Sequence, residues 1–253
     1  MKKKIFSLML AAMLLIASVV TAAEIQGGVI EVEGIKYYEA GKSMDELRRM
    51  AVLDGYRALA EALGDLKISS ESTMKDLTDL SDEVKVAVQK TVNGARYTVT
   101  RDSEGNFHSK IRLNLYGGAN SIANIVVPQN TSVEPFPKFS PKFETIDSNY
   151  TGLVIDCAGQ EISTAILPKI KSVSGKEIYA IQYLQRNIVV GRGMVNYSDA
   201  NSGTARAGNN PLTIQAMFVE DCDVVVSDDD AEKILAANSK SNFLSKCMVV
   251  FLK

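Results

Sequence analysis

Histidine occurs once in these 253 residues, tryptophan not at all, cysteine three times and proline six times. A single imidazole excludes a histidine-rich metal site. It also leaves Cys157 and the serines only the distant His108 as a base, which removes the usual cysteine–histidine and serine–histidine pairs. Cys157, Cys222 and Cys247 are too few and too widely spaced for a disulfide framework or a structural zinc site. Two readings of them stay open: Cys222 and Cys247 pair in an oxidising compartment, or all three are small buried hydrophobes. An excess of positive charge is missing as well. The formal charge is −2, and without Lys2, Lys3 and Lys4 the 28 basic residues fall to 25 against 30 acidic, a net −5. Such a chain has no general attraction for nucleic acid or anionic lipid.

What is present begins with an address. Lys2–Lys4, an uncharged run from Ile5 to Val20 and the small residues Thr21-Ala22-Ala23 form the pattern of a secretory leader cut before Ala23 or Glu24. The apolar run is short for a span, so retention as a membrane anchor is the second reading. No cysteine follows the cut, so the residue that takes a lipid in a bacterial lipoprotein is missing. No other segment is apolar enough to cross a membrane.

Four of the six prolines, Pro128, Pro135, Pro137 and Pro141, cluster with Asn130, Thr131, Ser132 and Ser140. Proline removes amide donors and favours extended backbone, so residues 120–149 read as an interdomain linker. Phe136, Phe139 and Phe143 either pin this linker to a neighbouring domain or form a docking strand for a partner. Before it, Val29–Val32 and Ile35–Tyr38 read as one or two strands. Ser43-Met44-Asp45-Glu46 is a capping box that starts a helix. Leu47, Ala51, Val52, Gly55, Ala58, Leu59, Ala62 and Leu63 share one half of its wheel, and Gly64 supplies its stop. Gly55 in the apolar stripe weakens the helix by about 1 kcal/mol relative to alanine, which points to another backbone packed closely there.

A second helix is expected over Ser81–Val92, followed by a hairpin of Ala95–Arg101 and Phe107–Tyr116 with one dry face. The fold class of residues 24–119 is therefore α+β, two helices on a small, mainly antiparallel sheet. In residues 150–253 the runs Gly152–Cys157, Ile178–Tyr183, Ile188–Val190, Leu212–Phe218, Asp223–Val226 and Cys247–Leu252 read as strands. One late helix stands out, capped by Ser227 with Asp228–Asp230 in its first turn. The second domain is thus expected to be β-rich.

The run Ala51, Asp54, Gly55, Tyr56, Arg57, Leu59, Ala60, Glu61 and Gly64, followed by Val92, Gly94, Ala95 and the hairpin, resembles a bacterial envelope family. It is the family of small outer-membrane lipoproteins that includes the amino-terminal domain of flagellar assembly protein T, and the likeness covers about residues 28–118. It implies an envelope domain that mediates assembly contacts, with no catalytic residues to carry over. The missing lipid-bearing cysteine departs from many such lipoproteins and puts direct outer-membrane anchoring in doubt.

Other patterns carry less. Ser72-Thr73-Met74-Lys75 has the serine-x-x-lysine form of penicillin-binding enzymes, but the other motifs of that site are missing: Ser81-Asp82-Glu83 reads as a helix start and Lys90-Thr91-Val92 as a helix end. His108 falls beside Lys110 and Arg112 on the polar face of its strand, as a solvated residue. Asp221, Asp223 and Asp228–Asp230 lack the spacing of a calcium loop. Gly191-Arg192-Gly193 with the polar stretch Asn196–Asn210 comes closest to a ligand loop, read either as a mobile connection or as a contact surface. The expectation is a non-enzymatic secreted or periplasmic protein that contacts an envelope or flagellar partner. No cofactor or metal is called for, association with the outer membrane is open, and the oligomeric state is not specified. The alternative is an extracytoplasmic small-ligand binder or hydrolase with its site between the domains.

Overall fold

A computed structural model describes residues 24–129, 132–144, 149–199 and 201–253. The leader expected over residues 1–23 lies outside them, as do residues 130–131 and 145–148 of the expected linker. The molecule is α+β. Strands β1 (Glu24–Gln26) and β2 (Val29–Lys36) pair antiparallel across Gly27 and Gly28, whose φ values of 59° and 79° suit a two-residue hairpin turn.

Helix α1 (Met44–Asp65) starts where Ser43 Oγ accepts from the Glu46 amide at 3.2 Å. The reciprocal half of the capping box is not formed, because the Glu46 carboxylate lies 4.0 Å from Lys42 Nζ instead. Gly64 does not stop the helix. The helix runs one residue further, and Leu66, drawn into the core, ends it by donating its amide to the Leu63 carbonyl at 3.2 Å. Leu47, Ala51, Gly55, Ala58, Leu59 and Leu63 are its buried face, while Val52 and Ala62, which the wheel also places there, are half-buried.

A short hairpin, β3 (Lys67–Ser69) and β4 (Ser72–Thr73), leads into α2 (Met74–Leu80). A complete capping box starts α2: Thr73 Oγ accepts from the Asp76 amide at 3.3 Å, and Asp76 accepts from the Thr73 amide at 2.7 Å. Helix α3 (Asp82–Asn93) follows, capped by Ser81. Strands β5 (Arg96–Arg101) and β6 (Phe107–Asn114) complete an antiparallel sheet in the order β1-β2-β6-β5.

The close backbone inferred at Gly55 belongs to this sheet. A Cβ on Gly34 of β2 would stand 2.1 Å from the Gly55 nitrogen, and one on Gly55 would stand 2.6 Å from Ser109 Oγ. Glycine at both positions lets the helix lie directly on the strand. The buried Ser109 hydroxyl donates to the Ala51 carbonyl at 2.8 Å and so fixes the crossing.

The expected linker is partly structured. Its first residues form α4 (Ile122–Val126), because Ser121 caps them and Ile122, Ala123 and Val127 enter the core. Beyond Pro128, the chain is pinned to the second half. Phe136 stacks against Tyr183 at 5.3 Å, the Glu134 amide donates to the Gln182 carbonyl at 2.8 Å, and Lys142 pairs with Asp229 at 2.8 Å.

The second half contains β7 (Gly152–Asp156), β8 (Ile170–Ser172), β9 (Glu177–Tyr179), helix α5 (Arg186–Arg192) and β10 (Asn196–Ser198). These are followed by β11 (Pro211–Gln215), β12 (Phe218–Glu220), β13 (Asp223–Val226), α6 (Asp228–Ser241) and β14 (Val249–Leu252). Strands β10-β14-β7-β11 form an all-parallel sheet and β12-β13-β8-β9 a mixed one. Ile188–Val190, expected as a strand, is the centre of α5. Only Val189 and Val190 of α5 are buried, a helical stripe that three apolar residues in a row do not reveal. The late helix α6 starts at Ser227 as expected, with Ser227 Oγ accepting from the Asp230 amide at 3.0 Å.

The halves share one continuous core, in which Ile30, Leu59 and Ile111 join Leu153, Tyr179 and Phe251. Backbone bonds also cross between them, from Ile166 to the Lys67 carbonyl at 3.1 Å, Leu167 to Ile68 at 2.8 Å and Gly117 to Val190 at 3.0 Å. Asp223, fully buried, accepts from Ser70 Oγ at 2.9 Å and the Lys169 amide at 2.8 Å, and pairs with Lys171 at 2.8 Å. No helix among the described residues is long and apolar enough to cross a membrane.

Candidate functional site

The groups that could carry chemistry are kept apart. Ser72 sits in β4 with its hydroxyl 3.0 Å from Ser69 Oγ, whereas Lys75, one residue into α2, turns outward to pair with Asp79. The pairing raises the Lys75 ammonium, the opposite of what a general base requires. The serine-x-x-lysine spacing therefore belongs to a strand–helix junction, with Thr73 between the two as the helix cap.

His108 lies on the open face of the sheet, as alternation predicts, and it is engaged by carboxylates on both sides. Nδ1 is 3.1 Å from Glu33 and Nε2 is 3.2 Å from Asp102. The Asp102 contact foremost, and Glu33 with it, raise the imidazole above 6.5 against the opposing effect of partial burial. Partial burial alone would raise Asp102, yet hydrogen bonds from the Asn106 side chain and amide, His108 and the Glu104 amide hold it down at about 2. This is a braced turn between β5 and β6.

All three cysteines are buried and free. Burial pushes Cys157 up to about 11 and Cys222 up to about 12, and raises Cys247, so none is a ready nucleophile. Asp228–Asp230 are each engaged separately: Asp228 accepts from the Ser174 amide, Asp229 pairs with Lys142 and Asp230 with Lys233. Among the described residues, no cluster of three histidine, cysteine, aspartate or glutamate side chains is arranged to hold a metal ion.

Two of the concave surfaces combine features that bear on binding. The first is a cavity of about 270 Å3 between the halves, where the Gly27-Gly28 turn and Tyr116 face Arg192, Tyr197 and Arg206. The Gly191-Arg192-Gly193 segment is here the end of α5, not a loop before a helix. Gly193, at φ 77°, lets the Tyr116 ring approach so closely that a Cβ would stand 2.6 Å from Tyr116 Cζ. One nitrogen of Arg206 donates to the Gly193 carbonyl at 3.0 Å and to the Arg192 carbonyl, closing the carboxyl end of α5. The contribution of Tyr116 and the Gly27-Gly28 turn depends on tertiary contact and left no mark in the sequence. Arg206 was signalled only by belonging to the polar stretch 196–210.

The second surface is a groove of about 430 Å3 among α1, α2 and α3, lined by Leu63, Met74, Thr78, Val88, Gln89 and Val92. No residue of α3 is fully buried, although Val84, Val88 and Val92 recur at four-residue spacing on one side. Leu80, the last residue of α2, is 84% exposed and Val86 of α3 is 62% exposed.

The fold therefore describes an α+β protein of two fused halves, with the parallel sheet in the second. Residues 152–253 match the family model described as Treponema pallidum Tp0624, second domain, a match that begins at the first residue of β7. No curated protein matches the chain.

Proposed function

We propose that this is a non-enzymatic, secreted or periplasmic protein of the cell envelope that works by holding a protein partner, in flagellar or outer-membrane assembly. The observation that carries this reading is the apolar surface of the α2–α3 hairpin. A helix with no fully buried residue, with Val86 exposed on it and Leu80 exposed just before it, presents apolar side chains to water. An apolar helix or strand of a partner fits a groove lined by Leu63, Met74, Val88 and Val92.

The residues behind the envelope resemblance support the same reading through their architectural roles. Asp54 accepts from the Ile35 amide at 3.2 Å, Gly55 meets Gly34, and Tyr56 Oη donates to the Ala95 carbonyl at 3.2 Å. Each joins α1 to the sheet, and none faces a reacting centre. The outward-turned Lys75 removes the one motif that favoured a hydrolase.

The test is chemical crosslinking in cells of a tagged, natively exported copy, followed by envelope fractionation and mass spectrometry. Recovery in the soluble extracytoplasmic or outer-membrane fraction, covalently joined to one reproducible envelope or flagellar protein, is the expected result. Recovery as an uncrosslinked soluble monomer contradicts the proposal.

A further inference from the structure

We propose that the cavity between the halves is a binding site for a small oxyanion, a phosphate or carboxylate group held by Arg192 and Arg206. This inference stands apart from the partner-binding reading and does not depend on it. The charge of the lining carries it. Arg192 and Arg206 both line the cavity, and no aspartate or glutamate lines it among the described residues. Among the described residues no ion pair joins either arginine to a carboxylate, whereas other cations at the interface have one, such as Lys67 with Asp221 at 2.8 Å and Lys171 with Asp223 at 2.8 Å.

A guanidinium has five N–H donors in a rigid fork. The carbonyls of Arg192 and Gly193 engage one nitrogen of Arg206. The cavity that Arg206 lines is the space beside it in which an anion could meet its remaining donors. Burial, followed by the charge of Arg192, lowers the pKa of Arg206, a cost that a bound anion would relieve. Burial raises the Tyr116 phenol, which keeps it a neutral donor on the same wall.

The volume sets the size of the ligand. A cavity of about 270 Å3 lies just below the usual range for drug-sized ligands, so the anion is borne on a small molecule or on a protruding headgroup. Guanidinium recognition of phosphate or carboxylate is bidentate and geometrically demanding, which makes the site selective over chloride.

Isothermal titration calorimetry of the full chain with inorganic phosphate and with citrate, at fixed ionic strength in chloride, tests the proposal. Saturable binding of at least one is expected, weakened about tenfold or more by Arg192→Gln, a substitution at an exposed position that leaves the circular dichroism spectrum unchanged. Arg206→Lys, which keeps the charge and loses the fork, weakens binding as well. Sedimentation with phosphatidylglycerol vesicles separates a free anion from a lipid-borne one. Vesicle binding that inorganic phosphate displaces and Arg192→Gln abolishes supports the same cavity with a headgroup as ligand. No saturable binding of either anion or of vesicles, or binding that Arg192→Gln leaves undiminished, overturns the proposal and leaves Arg206 as the cap of α5.

Discussion

His108 is bracketed by Glu33 on the neighbouring strand β2 and by Asp102 in the β5–β6 turn, so its charge is tied to the pairing of three strands. Its folded pKa is raised above 6.5, so folding favours the protonated ring. The resulting stabilisation is complete below pH 6.5 and is lost as the pH rises through the elevated folded value. Asp102 works in the other direction. Its pKa is depressed from 3.8 to about 2, and its contribution is present above 3.8 and lost as the pH falls through about 2. Because the chain has one histidine, its imidazole protons titrate in the NMR spectrum without overlap from a second. A midpoint above 6.5, lowered by Glu33→Gln, is expected; a midpoint at or below 6.5 would show that the two carboxylates do not hold the ring.

At the scale of elements, the crossing of α1 over β2 sets the geometry of the first half. Gly55→Ala gains about 1 kcal/mol of helix propensity. The new methyl would stand 2.6 Å from Ser109 Oγ and 2.7 Å from Ile111 Cγ1, and such overpacking costs about 1–3 kcal/mol. The expected outcome in urea denaturation is a net loss of up to about 2 kcal/mol. Gly64→Ala is its control: Gly64 lies inside the same helix with nothing within 4 Å, and alanine there adds up to about 1 kcal/mol. Equal stability of the two variants would refute the close crossing. This contact was legible in the sequence, since an interior glycine in an apolar stripe has few other uses. The caps at Ser43, Ser81 and Ser227 were legible for the same reason, being local in the chain. Elements that depend on distant partners were not. Helix α5 read as a strand because its three apolar residues are consecutive, and α4 was hidden by the prolines that follow it. Strand β10 carries one apolar residue and exists because Tyr197 reaches Phe251 of β14, 5.7 Å away between ring centres. Of the cavity between the halves, the polar stretch around Arg206 was visible as a candidate, but the wall contributed by Tyr116 and the Gly27-Gly28 turn was not.

For the whole molecule, the continuous core and the cross-half bonds make the two halves one folding unit. Asp223 concentrates that coupling, and its removal leaves Lys171 without its buried partner and Ser70 and the Lys169 amide without their acceptor. Asp223→Ala is expected to lose about 3 kcal/mol while still unfolding in a single transition, followed by circular dichroism against urea. Two resolved transitions would mean that the halves fold independently. The same rigidity presents the α2–α3 hairpin outward as a fixed apolar surface, and the central claim is that a protein partner covers it. The most direct measurement is site-specific photo-crosslinking in living cells, with a photoreactive residue at Val86 and, as control, at the exposed Lys246 of the second half. The account predicts one reproducible envelope protein captured from position 86 and absent from position 246, with capture lost in a Leu80→Glu background that retains the wild-type fold. Equal capture at both positions, or none at position 86, would contradict it.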